Sequence, residues 1–234
     1  MERVDKVISS QTNYTRSDVK KLIKSKKIKI NNIVIDKPEI KINTEKDTIS
    51  IDGKDIIFKK KIYIVLNKPK GYISATEDRK VPTVLDIVAS DYGNRNLFPV
   101  GRLDKDTTGL MILTDDGDFA HNILSPKKDS KKVYIATIDI PITDKMIYGF
   151  ENGVKLIDGE CKPSRLEKID EYVAKVTLTE GRYHQIKRMF GCYGAKVIEL
   201  KRIQIGNFCL PEELDQGEYR ELTKEEINLV QGIK

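Results

Sequence analysis

The stretch FPVGRLDKDTTGLMILT, residues 98–114, decides how this chain is read. Its first half is polar, begins beside Gly101 and carries Arg102, Asp104, Lys105 and Asp106. Its second half, residues 109–114, is apolar and reads as a buried strand. A loop crowded with unlike charges and hung on such a strand is where a rigid scaffold places chemistry. The residues alone leave two readings open, because closely spaced carboxylates also form turns by accepting hydrogen bonds from their own backbone. On that reasoning Asp106 is a turn-former, and Asp104 stands between turn and catalysis.

Outward from this stretch, residues 62–67 (IYIVLN) read as a second buried strand, stopped by a turn at Lys68-Pro69-Lys70-Gly71. A short helix is predicted around 84–90. Residues 131–138 alternate, with Tyr134 facing away from Val133 and Ile135. Just before it, Lys127, Lys128, Lys131 and Lys132 form either a solvated run or the rim of an RNA groove. In residues 180–190 (EGRYHQIKRMF), Ile186, Met189 and Phe190 follow core spacing, while Tyr183 and Lys187 share another face. His184 reads as a structural hydrogen-bonding residue. A strand over 196–206 and a capped helix starting at Thr223, with Glu226 closing the box, finish the chain.

Within the first 58 residues, Val4, Val7 and Ile8 predict one short helix, and Thr15 with Asp18 caps a second over 16–25. At 100° per residue, Arg16, Lys20, Lys24 and Lys27 fall on one side of that helix as a basic stripe beside the apolar one. Short isoleucine-rich alternating segments follow. The net charge is 42 − 36 = +6, and residues 1–60 hold all of it, 15 basic against 9 acidic side chains. The remaining residues balance at 27 of each. A small basic domain beside a neutral one suits a phosphate-bearing partner, although a lysine-rich composition also lifts charge.

The 39% hydrophobic fraction of the 234 residues is enough for a core and excludes global disorder. The apolar runs are too short to span a bilayer, and no apolar leader follows Met1. Three cysteines without a CxxC pair and only two histidines argue against a zinc site and fit a reducing compartment. No glycine-rich nucleotide cradle is present, so no cofactor is expected. The chain reads as a cytoplasmic protein and a monomer.

Two resemblances sharpen this reading. Arg3-x-Asp5-Lys6, Thr15-Arg16, Leu22-Ile23 and Ile28-x-Ile30-Asn31 resemble the S4 RNA-binding domain. The string GRLDKDTTGLMILTDDG, residues 101–117, resembles the catalytic loop of the RsuA-type pseudouridine synthases, which modify ribosomal RNA. Its companions occur in order: Asn67-Lys-Pro-Lys-Gly71-Tyr72, Lys132-Val-Tyr134, and residues 180–190. The likeness covers essentially the whole chain.

The resemblance implies an α+β chain: an S4-like domain over 1–58, then a catalytic domain over 61–234 with a mixed, largely antiparallel sheet flanked by helices. It implies isomerisation of a uridine to pseudouridine in ribosomal RNA, in a small-subunit assembly intermediate. The RYHQIKRMF string points to 16S rRNA, at the uridine conventionally numbered 516. Large-subunit RNA and a non-catalytic assembly factor remain as alternatives. A hydrolase using Asp104 and Asp106 fits poorly, since these residues are too close in sequence to flank a scissile bond. Asp104 is implied as nucleophile and base, and the target base must first leave its stack. An enclosed carboxylate needs a neighbouring cation to stay ionised, and Lys187 holds that position. Tyr134 is implied to stack on the uracil, and Arg102 to fill the vacated space or hold a phosphate. Ile186 borders the base, Arg182 and Arg188 contact phosphate, and Arg16, Lys20, Lys24 and Lys27 contact RNA.

Overall fold

The computed structural model describes residues 1–125 and 128–233, so the Lys127 member of the basic cluster lies outside the described residues. The chain packs as two units, Met1–Ile62 with Leu85–Leu97, and Tyr63–Val84 with Phe98–Lys234.

In the first unit the helix Val4–Gln11 buries Val4, Val7 and Ile8. The helix Arg16–Lys24 starts at a reciprocal capping box in which Asp18 takes the role more often held by Glu or Gln. Val19 and Ile23 are its buried residues. Two hairpins follow, turning at Asn31-Asn32 (φ 50° and 66°) and Asp52-Gly53 (φ 48° and 78°). Two successive positive φ values give the turn twist that matches paired strands. The resulting four-stranded sheet is ordered Ile33–Val34, Ile28–Ile30, Ile49–Ile51, Lys54–Ile56. Ile28, Ile49 and Ile51 of this sheet join the two helices in one core. The basic stripe is shorter than expected. Arg16, Lys20 and Lys24 lie exposed on the helix, but the helix stops at Lys24 and Lys26 turns left-handed (φ 57°). Lys27 therefore leaves the helical face, and its Nζ lies 3.0 Å from the Asp52 carboxylate.

The segment Leu85–Leu97, expected to continue the larger domain, packs with the first unit instead. Asn94 donates to the Thr12 and Tyr14 carbonyls, and Arg95 donates to Gln11 Oε1 and the Lys59 carbonyl.

Among the described residues, the second unit is built on a mixed sheet of nine strands. Its main path runs Arg165–Lys168, Val173–Leu178, Lys132–Ile138, Val197–Ile205, Thr108–Thr114, Tyr63–Lys68, Tyr219–Glu221. The ladders are antiparallel except where Val197–Ile205 meets Thr108–Thr114 in parallel, with Arg202 opposite Gly109. That join explains Gly109. At φ +97°, a Cβ there would lie 2.2 Å from the Arg202 carbonyl oxygen, so only glycine admits the neighbouring strand. The central strand Thr108–Thr114 is buried throughout. It ends where Asp116 caps the helix Gly117–Leu124 by accepting from the Asp118 and Phe119 amides. One apolar core gathers around Phe119, Ile123 and Val230, and another around Phe150, Met189 and Phe190.

Candidate active site

The loop between Phe98–Pro99 and Thr108–Thr114 carries Asp104, and its backbone is tied down from beneath. Lys68, fully buried at the end of its strand, donates from Nζ to the carbonyls of Pro69, Lys105 and Thr107 (3.1, 3.3 and 2.8 Å). Ser74 Oγ both donates to the Leu103 carbonyl and accepts from the Leu103 amide, each at 2.9 Å. The Gly71 amide donates to the Lys105 carbonyl, and the Thr107 amide to that of Asp104. These bonds fix the loop on either side of the carboxylate. Burial pulls the Lys68 pKa down to about 8, and Arg202 and Lys187 add to the fall against the opposing pull of Asp106 and Asp104. In the sequence Lys68 reads as part of a turn and of a string that accompanies the catalytic loop, with no role of its own. The available signal is a lysine placed directly after an apolar strand and before proline.

Lys187 reaches the loop from the helix Gln185–Gly191. Its Nζ lies 3.1 Å from Asp104 Oδ2 and 2.6 Å from Asp106 Oδ1. Burial acts to lower the Lys187 pKa, but the hydrogen bonds to both carboxylates outweigh it and leave the ammonium raised. The bond from Lys187 holds Asp106 below the ordinary aspartate value. Asp106 is thus more than the turn-former its spacing suggested, since it shares the cation that faces Asp104. His184 also departs from expectation. Its backbone is left-handed (φ 48°), its ring stacks on Tyr183 at 3.9 Å, and Nε2 lies 3.5 Å from Asp104 Oδ1. Nothing in the spacing of Asp104 and His184 announces this approach.

Asp104 and Lys187 line a cavity of about 680 Å³ in the second unit together with Arg102, Tyr134, Arg182 and Ile186. The structure thus brings all six expected residues to one place. Tyr134 is half-buried on its strand, Ile186 is buried, and Arg102 is exposed. Arg102 does not form the surface pair with Asp106 that was its ordinary alternative; that carboxylate takes Lys187. Arg182 and Arg188 differ from their expected use. The Arg182 guanidinium donates to the carbonyls of Asp158, Gly159 and Glu160, and that of Arg188 grips the Asp158 carboxylate. Both side chains tie the Lys155–Leu156/Gly159–Glu160 hairpin to the start of the Lys187 helix. This support of the backbone takes the place of the free phosphate contact expected of them.

The family model for RNA pseudouridylate synthase matches residues 62–191, and that for the S4 domain matches residues 2–49. The chain belongs to the RNA pseudouridylate synthase family and is an RNA pseudouridine synthase with an N-terminal S4 domain. It is 39% identical over 230 residues to a Yersinia pestis protein named ribosomal small subunit pseudouridine synthase A, covering 96% of each chain. The protein of that name from Escherichia coli strain K12 is 38% identical over 228 residues, covering 96% of this chain and 98% of the relative. A crystal structure of a pseudouridylate synthase aligns with a TM-score of 0.69 at 38% identity, over 98% of this chain and 100% of the other.

Proposed function

We propose that this protein converts one uridine of small-subunit ribosomal RNA to pseudouridine, in 16S rRNA at the uridine conventionally numbered 516. The observation that carries the reading is the carboxylate of Asp104 facing the ammonium of Lys187 in a cavity that Tyr134 also lines. The names of the relatives from Yersinia pestis and Escherichia coli support the small subunit as substrate.

The target base leaves its stack, enters the cavity and lies against the Tyr134 ring, an arrangement worth about 1–3 kcal/mol per base. The C1′–N1 bond breaks, the uracil turns, C5 bonds to C1′, the C5 proton is lost and N1 gains one. Asp104 is the nucleophile and base for this exchange. Lys187 holds the carboxylate in place, and Asp106 keeps the ammonium charged through the second bond. Arg102, exposed at the cavity, holds the flipped nucleotide by its phosphate or fills its former place. Ile186 supplies an apolar border to the ring. Arg16, Lys20 and Lys24 on the first unit contribute salt-dependent affinity for the RNA backbone. The protein acts in the cytoplasm as a monomer on a partly assembled small subunit.

Pseudouridine mapping across ribosomal RNA from cells lacking the gene tests this reading. One modification in small-subunit RNA should vanish and return on complementation. Loss confined to large-subunit RNA would transfer the activity there, and an unchanged map would overturn the assignment.

A further inference from the structure

A second positive group lies in the cavity wall, on the strand that neighbours Tyr134. Arg202 is 3% exposed and is the cross-strand partner of Tyr134. Its Nε donates to the Leu110 carbonyl at 2.8 Å, but its Nη2 is buried with no hydrogen-bond partner. No carboxylate pairs with it among the described residues. Lys132, two positions before Tyr134 on the same strand face, lines the same cavity and, among the described residues, hydrogen-bonds to the Ser130 carbonyl. Burial lowers the Lys132 pKa, and the nearby Arg202 lowers it further, against the weaker opposing pull of Asp129. Thr107 Oγ1, also lining the cavity, is likewise buried without a partner. Two enclosed like charges, neither in an ion pair with a carboxylate among the described residues and only Lys132 drawn on from a distance by Asp129, are costly, and a native fold that keeps them holds a positive potential in readiness for an anion.

We infer that Arg202, with Lys132 beside it, provides the preorganised field that stabilises the uracil as an anion while its bond to C1′ is broken. This deepens the site reading above and rests on Tyr134 receiving the base. The electron pair of the C1′–N1 bond stays with the ring, where O2 and O4 share the charge, while the electron-poor C1′ faces the Asp104 carboxylate. That pair then forms the C5–C1′ bond, the C5 proton departs, and N1 takes one up. A backbone phosphate is the other anion RNA offers. It stays on the strand outside the cavity, whereas the base is the part that enters, and Arg202 is a buried residue of the cavity lining.

The test compares RNA carrying uridine at the target with RNA carrying 5-fluorouridine there, whose ring accepts negative charge more readily. Single-turnover rates are read as loss of the parent nucleoside, by chromatography after digestion, for wild type, Arg202→Gln, Arg202→Lys and Lys132→Met; C5 of 5-fluorouridine carries fluorine in place of the departing proton, so its rearranged ring stops short of pseudouridine and the readout reports breakage of the C1′–N1 bond. Arg202→Gln should slow the uridine reaction by about 10²–10³-fold. The loss should shrink by roughly tenfold or more on 5-fluorouridine, with RNA affinity nearly unchanged, and Arg202→Lys should recover part of the rate. Should Arg202→Gln fail to fold, Lys132→Met carries the same comparison. Equal losses on both RNAs would overturn the inference, as would undiminished rates. Weaker RNA binding with a flatter salt dependence would make the pair a phosphate contact and overturn it too. Asp104→Asn serves as the control: if it stays active, the site reading itself fails; if it is inactive while the two losses are equal, only the Arg202 inference does.

Discussion

At the scale of single residues, the site is a chain of charges, Asp104–Lys187–Asp106, resting on a buried lysine. Removing one member of an enclosed pair leaves the other uncompensated. Lys187→Met should therefore lower kcat/KM by about 10²-fold or more, with Lys187→Arg much milder, as measured by initial rates on ribosomal RNA. Tyr134→Ala should weaken the productive complex by about 1–3 kcal/mol, while Tyr134→Phe, which keeps the ring, should stay near wild type in KM. Lys68 gives a pH signature. Its folded pKa of about 8 lies below the ordinary lysine value of 10.5, so between those limits the unfolded chain binds more protons than the folded one. Stability contributed at this position should therefore rise with pH across that window, by at most about 1.4 kcal/mol per pH unit. Urea unfolding of wild type and Lys68→Met at pH 7.5 and 9.5 checks it, with the difference moving in favour of the wild type at the higher pH. Much of this residue-level picture was legible, because Asp104, Lys187 and Tyr134 sit in strings with a recognisable order. The sharing of Lys187 by Asp106, the approach of His184 and the anchoring by Lys68 were not. Each depends on a contact between segments far apart in the chain, and no local period encodes such contacts.

At the scale of elements, the strands near 62–67, 109–114, 131–138 and 196–206 were legible from apolar runs, and the helix starts at Arg16 and Lys224 from their caps. The strands Arg165–Lys168, Val173–Leu178 and Tyr219–Glu221 and the helices Gly117–Leu124 and Asp144–Asn152 were not read. The expected strand over 131–138 forms as Lys132–Ile138, and both predicted capping boxes are present. Strand order was not legible, since the sheet places Val197–Ile205 between Lys132–Ile138 and Thr108–Thr114, partners distant in sequence. Nor was the departure of Lys27 from the face of the Arg16–Lys24 helix. Lysine has ordinary helical propensity, so the left-handed turn at Lys26 has no compositional mark, and the helical period projects Lys27 onto a face it does not share. The parallel join gives the sharpest element-level prediction. Gly109→Ala would drive a Cβ to 2.2 Å from the Arg202 carbonyl and strain a φ of +97°. It should cost at least about 2–3 kcal/mol in urea unfolding and displace the loop that carries Asp104, so activity falls with stability.

For the whole molecule, the informative quantity is where the charge excess lies. Confinement of all six net positive charges to residues 1–60 was readable by counting, and it matches the position of the S4 domain. The return of Leu85–Leu97 to the first unit was not readable, because its anchors at Gln11, Thr12 and Tyr14 are remote in sequence. That packing also shapes the experiment: deleting the first 58 residues would remove those anchors, so charge reversal is the cleaner probe. Arg16→Glu combined with Lys20→Glu and Lys24→Glu should weaken ribosomal RNA binding. The slope of log affinity against log salt should fall by about 0.7–0.9 for each phosphate no longer neutralised. An unchanged slope would leave that helix face without a role in RNA binding.

The central claim is that one carboxylate performs the isomerisation. Release of tritium from RNA labelled at uridine C5, compared between wild type and Asp104→Asn at matched RNA occupancy, addresses it most directly. Asp104→Asn should bind RNA about as well as wild type and release no tritium above background. Release at the wild-type rate from a correctly folded Asp104→Asn protein would contradict the account.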